Sequence, residues 1–182
     1  MDFTDSHASP GGDAAPPTEF TIDGAPRRKV GLSEHGVATD GAVLVTSGLG
    51  SCLGVTLYHP RTETGGLLHA MLPAAADRPG PETKFVAEGV GLLVDELVDA
   101  GAARGELRAK LVGGAAILNL DLGDDAGSIG ERNVAAAEAV LERLDVPVVA
   151  DDTGGDRGRS IQFDTASGDL RISYADGSQL VL

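Results

Sequence analysis

The sequence predicts an α+β fold, a mixed or antiparallel β-sheet with helices packed on it. Short aliphatic and β-branched runs, split by glycine-bearing turns, recur between positions 42 and 174. Two longer segments instead place apolar residues three and four positions apart. The chain, 182 residues with 42% hydrophobic, is long enough for one sizeable core and one domain. Aromatics are 3% and tryptophan is absent, so that core must be built from Ala, Val, Leu and Ile.

Residues 1–27 are rich in Pro, Gly, Asp, Ser and Thr, and read as a disordered acidic tail. Residues 28–182 form the single predicted domain. Ala42–Thr46 is a strand, followed by the turn Ser47-Gly48-Leu49-Gly50-Ser51. Cys52–Tyr58 is the next strand, 59–65 a loop and Gly66–Leu72 the returning strand, stopped by Pro73. Lys84–Ala100 is the clearest helix, with Val86, Val90, Leu93 and Leu97 as its stripe and Gly101 at its stop. Leu107–Val112 is a strand ending in Gly113-Gly114. Asn133–Leu144 is the second helix and Val146–Ala150 another strand. Ser160–Asp164 and Asp169–Tyr174 alternate around Thr165-Ala166-Ser167-Gly168 and make a hairpin.

Charge excludes several functions. Lys plus Arg number 14 against 28 Asp plus Glu, for a net charge of −14. A nucleic-acid binder needs a basic face, and an anionic membrane surface would repel this one. Aspartate predominates among the acids, and Lys29, Lys84 and Lys110 are the only lysines. Such a surface stays hydrated at high ionic strength, where repulsion is screened within a few ångströms, and reads as halophilic. No signal peptide or apolar membrane span is visible, and a lone thiol points to the cytoplasm.

One cysteine excludes an intrachain disulfide and a multi-thiolate zinc site, so no metal is expected. The Gly48–Leu53 stretch lacks the third glycine of a dinucleotide fingerprint, and no P-loop occurs, so no cofactor is expected. Cys52 follows a flexible turn able to expose a side chain and aim backbone N–H groups. A hairpin centred on Pro60 and Arg61 would set Cys52 opposite His69, with Cβ atoms about 4.5–5.5 Å apart. An imidazolium there would favour the nucleophilic thiolate and could return a proton to a leaving group. Cys52 can equally be a small buried hydrophobe. His35 and His59 fall in predicted loops. Gly113-Gly114, Ile129–Asn133 and Asp152–Arg159 read as structural glycine loops, with Arg132 and Arg159 paired to carboxylates.

Several stretches resemble the CheD family of chemoreceptor glutamine deamidases: Thr46–Cys52 (TSGLGSC), Gly65–Pro73 (GGLLHAMLP), Ala109–Ala115 (AKLVGGA), Ile129–Asn133 (IGERN) and Asp152–Arg159 (DTGGDRGR). The opening Lys29-Val30-Gly31-Leu32 also fits. The resemblance implies a layered fold akin to the catalytic domains of glutamine-deamidating toxins. It implies a catalytic set of Cys52, His69 and Thr46, with the backbone N–H groups of Ser51 and Cys52 as oxyanion donors. It further implies protein-glutamine glutaminase activity on the cytoplasmic helices of chemoreceptors, through a thioester. A CheC-like phosphatase of the chemotaxis response regulator is the second implied partner. A non-catalytic regulator of that phosphatase is the alternative reading, and a redox-sensing Cys52 a weaker one. Methylesterase or transglutaminase chemistry could run through the same thioester.

Overall fold

The computed structural model describes residues 24–116 and 127–182. All but the last few positions of the expected tail lie outside the described residues. Ten strands and two long helices are arranged in three layers among the described residues. The first sheet holds β1 (Arg27–Lys29), β3 (Val43–Leu49), β8 (Arg159–Asp164), β9 (Leu170–Tyr174) and β10 (Gln179–Val181), in the order β1-β3-β8-β9-β10. The second holds β2 (His35–Ala38), β4 (Leu53–His59), β5 (Thr64–Ala70), β6 (Arg108–Gly113) and β7 (Val148–Thr153), in the order β2-β5-β4-β6-β7. Each sheet is antiparallel except for one parallel pair, β1 with β3 and β6 with β7. The α+β expectation therefore holds, but with two sheets rather than one.

Helices α1 (Val86–Asp99) and α2 (Ile129–Arg143) both cover the outer face of the second sheet. Leu53, Val55 and Leu57 of β4 and Leu68 and Ala70 of β5 meet Val90, Leu93 and Leu97 of α1 there. The opposite faces of β4 and β5 look toward the first sheet, where Leu67 packs with Leu44, Ile161, Phe163 and Ile172. Strands covered on both sides carry no polar alternation, and β5 is buried at all seven positions. In β8 alternate positions are buried, because only one of its faces meets the core. This contrast explains why the 160–174 hairpin shows period two and the 53–70 hairpin does not.

At one edge the sheets are clamped together. Buried Arg159 of β8 donates from Nε and Nη2 to the Asp152 carboxylate of β7. The Tyr174 hydroxyl donates to the same carboxylate. Burial alone would raise the Asp152 pKa, but these hydrogen bonds and the nearby Arg159 and Arg157 charges bring it below its ordinary 3.8. The predicted carboxylate partner of Arg159 is thus found.

Four expectations need correction. His35 lies in a strand, β2, which short length hid, and it contacts Glu96 at 2.9 Å. His59 is the buried last residue of β4, not a loop residue. Asp152 and Thr153 close β7 instead of opening a loop. Ile129–Asn133 is the first turn of α2, not a loop. Its Ser128 N-cap accepts from the Glu131 amide while the Glu131 carboxylate accepts from the Ser128 amide, a capping box that can be read directly from S-x-x-E.

Gly130 lets α2 sit directly on the end of β6. A Cβ there would lie 2.3 Å from the Gly114 carbonyl oxygen and 2.6 Å from that of Ala115. Those are backbone atoms and cannot rotate away. Gly130→Ala is expected to destabilise the fold by about 2–3 kcal/mol, the upper range of overpacking. A lower urea midpoint at unchanged slope would show it; an unchanged midpoint would mean α2 docks less tightly.

Candidate active site

Thr46 and His69 face each other across the gap between the sheets. Thr46 sits on the inward side of β3 with Leu44, and His69 on the inward side of β5 with Leu67. Thr46 Oγ1 lies 2.8 Å from His69 Nδ1, and both residues are buried. His69 Nε2 is also buried and has no hydrogen-bond partner among the described residues. One ring nitrogen is held, and the other is unpartnered among the described residues.

Cys52 occupies the bend just before β4 and is half-buried, packed against the cluster between the sheets. The expected register is off by two residues. His69 pairs with Gly54, and the last rung of the β4–β5 ladder is Leu53 with Ala70. The cause is the turn. β4 runs on to His59 and β5 starts at Thr64, so the hairpin centres one residue later than Pro60 and Arg61. A shift of two preserves the face, because side chains alternate with period two. Extending the ladder one step sets Cys52 diagonal to His69, where backbones are typically about 7–8 Å apart. The residue opposite His69 is a glycine, and the Leu49 and Ile161 side chains close over it, within 3.0 and 3.2 Å of where a Cβ would stand.

The turn carrying Cys52 is held by its carbonyls. Gly50 O accepts from Ala115 N–H, Ser51 O from Asn133 Nδ2 and Cys52 O from Gly114 N–H. Each carbonyl of this stretch therefore points into the protein. The Ser51 amide has no protein partner among the described residues, and the Cys52 amide reaches its own sulfur. Of the two expected oxyanion donors, the Ser51 amide is the one without a protein partner among the described residues.

Burial raises the Cys52 thiol above its ordinary 9.0, with its own backbone N–H opposing in part. Burial lowers His69 below its ordinary 6.5. Both directions favour the uncharged forms, thiol and neutral imidazole. Neither direction favours the expected thiolate–imidazolium pair. Among the described residues, no cluster of three or more His, Cys, Asp or Glu could hold a metal ion.

Sequence reading missed the part played by Asn133. It is fully buried in the first turn of α2, and its Nδ2 donates to Ser51 O at 2.8 Å and to Met71 O at 3.0 Å. The capping box was the available signal, since it turns the Ile129–Asn133 motif into helix and aims Asn133 inward.

Comparison with known proteins gives three findings. A family model described as CheD chemotactic sensory transduction matches residues 71–174, starting two residues past His69. A Geobacter metallireducens protein named "Probable chemoreceptor glutamine deamidase CheD 2" is 51% identical over 146 residues, covering 79% of this chain and 90% of that one. A Haloarcula marismortui protein named "Probable chemoreceptor glutamine deamidase CheD" is 40% identical over 167 residues, covering 91% and 95%. Among solved structures, a Neisseria meningitidis protein of the family-model DUF152 superposes with a TM-score of 0.50 at 14% identity, covering 72% of this chain and 65% of that one. That last likeness concerns the fold alone.

Proposed function

Because the chain belongs to the CheD family, we propose that it is a chemoreceptor glutamine deamidase. In this reading it acts in the cytoplasm as a protein-glutamine glutaminase on receptor helices. Among the described residues no helix is long and apolar enough to cross a membrane. The observation that carries the reading is the Thr46–His69 hydrogen bond across the two sheets, with Cys52 diagonal to the same histidine.

The chemistry follows from the neutral pair. Nδ1–H of His69 donates to Thr46 Oγ1, which leaves the Nε2 lone pair as base. As the Cys52 sulfur attacks the glutamine carboxamide carbon, its proton passes to Nε2. The Ser51 and Cys52 N–H groups receive the oxyanion; one such donor is typically worth about 3 kcal/mol. His69 then gives the proton to departing ammonia, and a thioester remains. Water enters and loses a proton to His69, and its oxygen attacks the thioester. Glutamate leaves and the thiol is restored. An amine in place of water would give a transglutaminase, and a glutamyl ester in place of the amide a methylesterase.

The test is intact-mass measurement of receptor cytoplasmic fragments after incubation with the protein. A gain of about one dalton per converted glutamine is expected from replacement of NH2 by OH. Fragments of unchanged mass, with the protein folded, would overturn the reading. Thr46→Val, which keeps shape and removes the hydroxyl, is expected to lower kcat by about 10- to 100-fold, since the imidazole loses its tautomer support but remains present. A wild-type rate in that variant would remove Thr46 from the mechanism.

Binding of a CheC-type phosphatase is a second role that the resemblance supports. Retained binding by a variant lacking the thiol would separate it from catalysis. The acidic composition supports a working environment of high salt, and the Haloarcula relative is in keeping with it.

A further inference from the structure

The β4–β5 ladder ends at Leu53–Ala70, one residue short of the cysteine. Beyond that rung no backbone hydrogen bond joins the two arms among the described residues. The Met71 and Leu72 amides turn away to Lys84 O, and the Cys52 carbonyl turns to Gly114. Yet the chemistry proposed above needs Cys52 on one arm and His69 on the other to keep a fixed separation. One side chain crosses the break. Asn133 spends its two Nδ2 hydrogens on Ser51 O, the residue before the nucleophile, and Met71 O, two residues after the base.

We infer that Asn133 is a positioning residue for the Cys52–His69 pair, a side-chain rung that replaces the backbone rung missing beyond Leu53–Ala70. The inference rests on the catalytic reading of that pair. The residue's own chemistry supports it. Asn133 is fully buried, and its Oδ1 has no hydrogen-bond partner among the described residues. An unsatisfied buried oxygen is a liability that an apolar residue would avoid. Asparagine at this place is explained by its two donors, a pair on one planar nitrogen that can serve two carbonyls at once. The helix bearing it is fixed at that end by the Ser128–Glu131 capping box and by the Gly130 contact with Gly114 and Ala115. Gly114 and Ala115 in turn hold the Cys52 and Gly50 carbonyls. The first turn of α2 thus grips the nucleophile's turn and the base's strand together.

The test uses the full chain and two readouts, with every variant held well below its unfolding midpoint. The first is kcat and KM on receptor fragments. Asn133→Ala is expected to lower kcat by about 10- to 100-fold, the scale of ångström-sized misplacement, with KM changed less than about twofold. The second needs no receptor: the rate of Cys52 alkylation by iodoacetamide, for which His69 serves as base. Asn133→Ala is expected to slow it about tenfold in the native background and to have no effect in a His69→Gln background, because the variant acts through that pair. Equal slowing in both backgrounds, or an unchanged rate in the native background, would overturn the inference. Asn133→Ser, which keeps one donor, should lie between wild type and Asn133→Ala. If neither variant folds, Asn133 is a structural residue only and the inference falls. Alkylation coupling without receptor conversion would keep the positioning role and sink the deamidase reading; conversion without coupling would do the reverse.

Discussion

Cys52→Ala is expected to abolish conversion of receptor glutamines, lowering the rate by about 10⁴-fold or more, the scale seen when a catalytic nucleophile is removed. The sulfur makes the bond on which every later step depends, and no second cysteine exists to replace it. Background hydrolysis by water on the oxyanion donors would be all that remains. The fold should survive. Cys52 is half-buried in a bend whose grip is exerted through carbonyls, and alanine keeps all three of those backbone bonds. Intact-mass measurement of receptor fragments, beside circular dichroism of the variant, checks both halves. Continued conversion by a folded Cys52→Ala protein would end the nucleophile assignment and leave the regulator reading standing.

His69→Gln should cost about 10³-fold in kcat/KM, within the range of a lost general base. The pH profile carries the sharper content. Burial holds the imidazole below 6.5, so the base stays neutral and usable as pH falls through the range where a solvent histidine would be protonated. The acidic limb of kcat/KM is therefore expected below pH 6.5, and it should vanish in His69→Gln. An acidic limb centred at or above 6.5 would contradict the burial argument. Stability follows the same logic. The unfolded chain takes up a proton near 6.5 and the folded chain only at lower pH, so the contribution of His69 is full above 6.5 and is lost as pH falls toward its folded value. Cys52 works in the opposite direction. Its raised pKa makes the folded state keep a proton that the unfolded state loses near 9.0, so stability falls as pH rises beyond that point.

Local chemistry made much of this molecule legible in advance. The helix stripe of Val86, Val90, Leu93 and Leu97 is buried as its spacing implies, and the hairpin around Thr165–Gly168 pairs as its alternation implies. The register expected for Cys52 and His69 is off by two, and an even shift does not change the face to which a strand residue belongs. What stayed hidden depends on partners distant in sequence. Nothing in the local pattern of Thr46 says that a histidine 23 residues away will meet it across two sheets. The division into two sheets rests on β3 pairing with the distant β8 and not with its neighbour β4, and the edge strands β1, β2 and β10 have three or four residues each, too few to show a period. The charge state of the pair is hidden for a related reason. Proximity of imidazole and thiol can be guessed from spacing, whereas the dielectric around them is set by Leu49, Ile161 and other side chains that arrive from elsewhere.

The imidazole belongs to one sheet and its hydroxyl support to the other. Neither half of the sandwich can therefore be fully competent by itself, however well each holds its own strands. A slip of an ångström along the seam would part the base from that support while every strand kept its neighbours. Activity in such an architecture reports on the alignment of two separately bonded halves, and would fade under mild loosening before any loss of secondary structure could be seen.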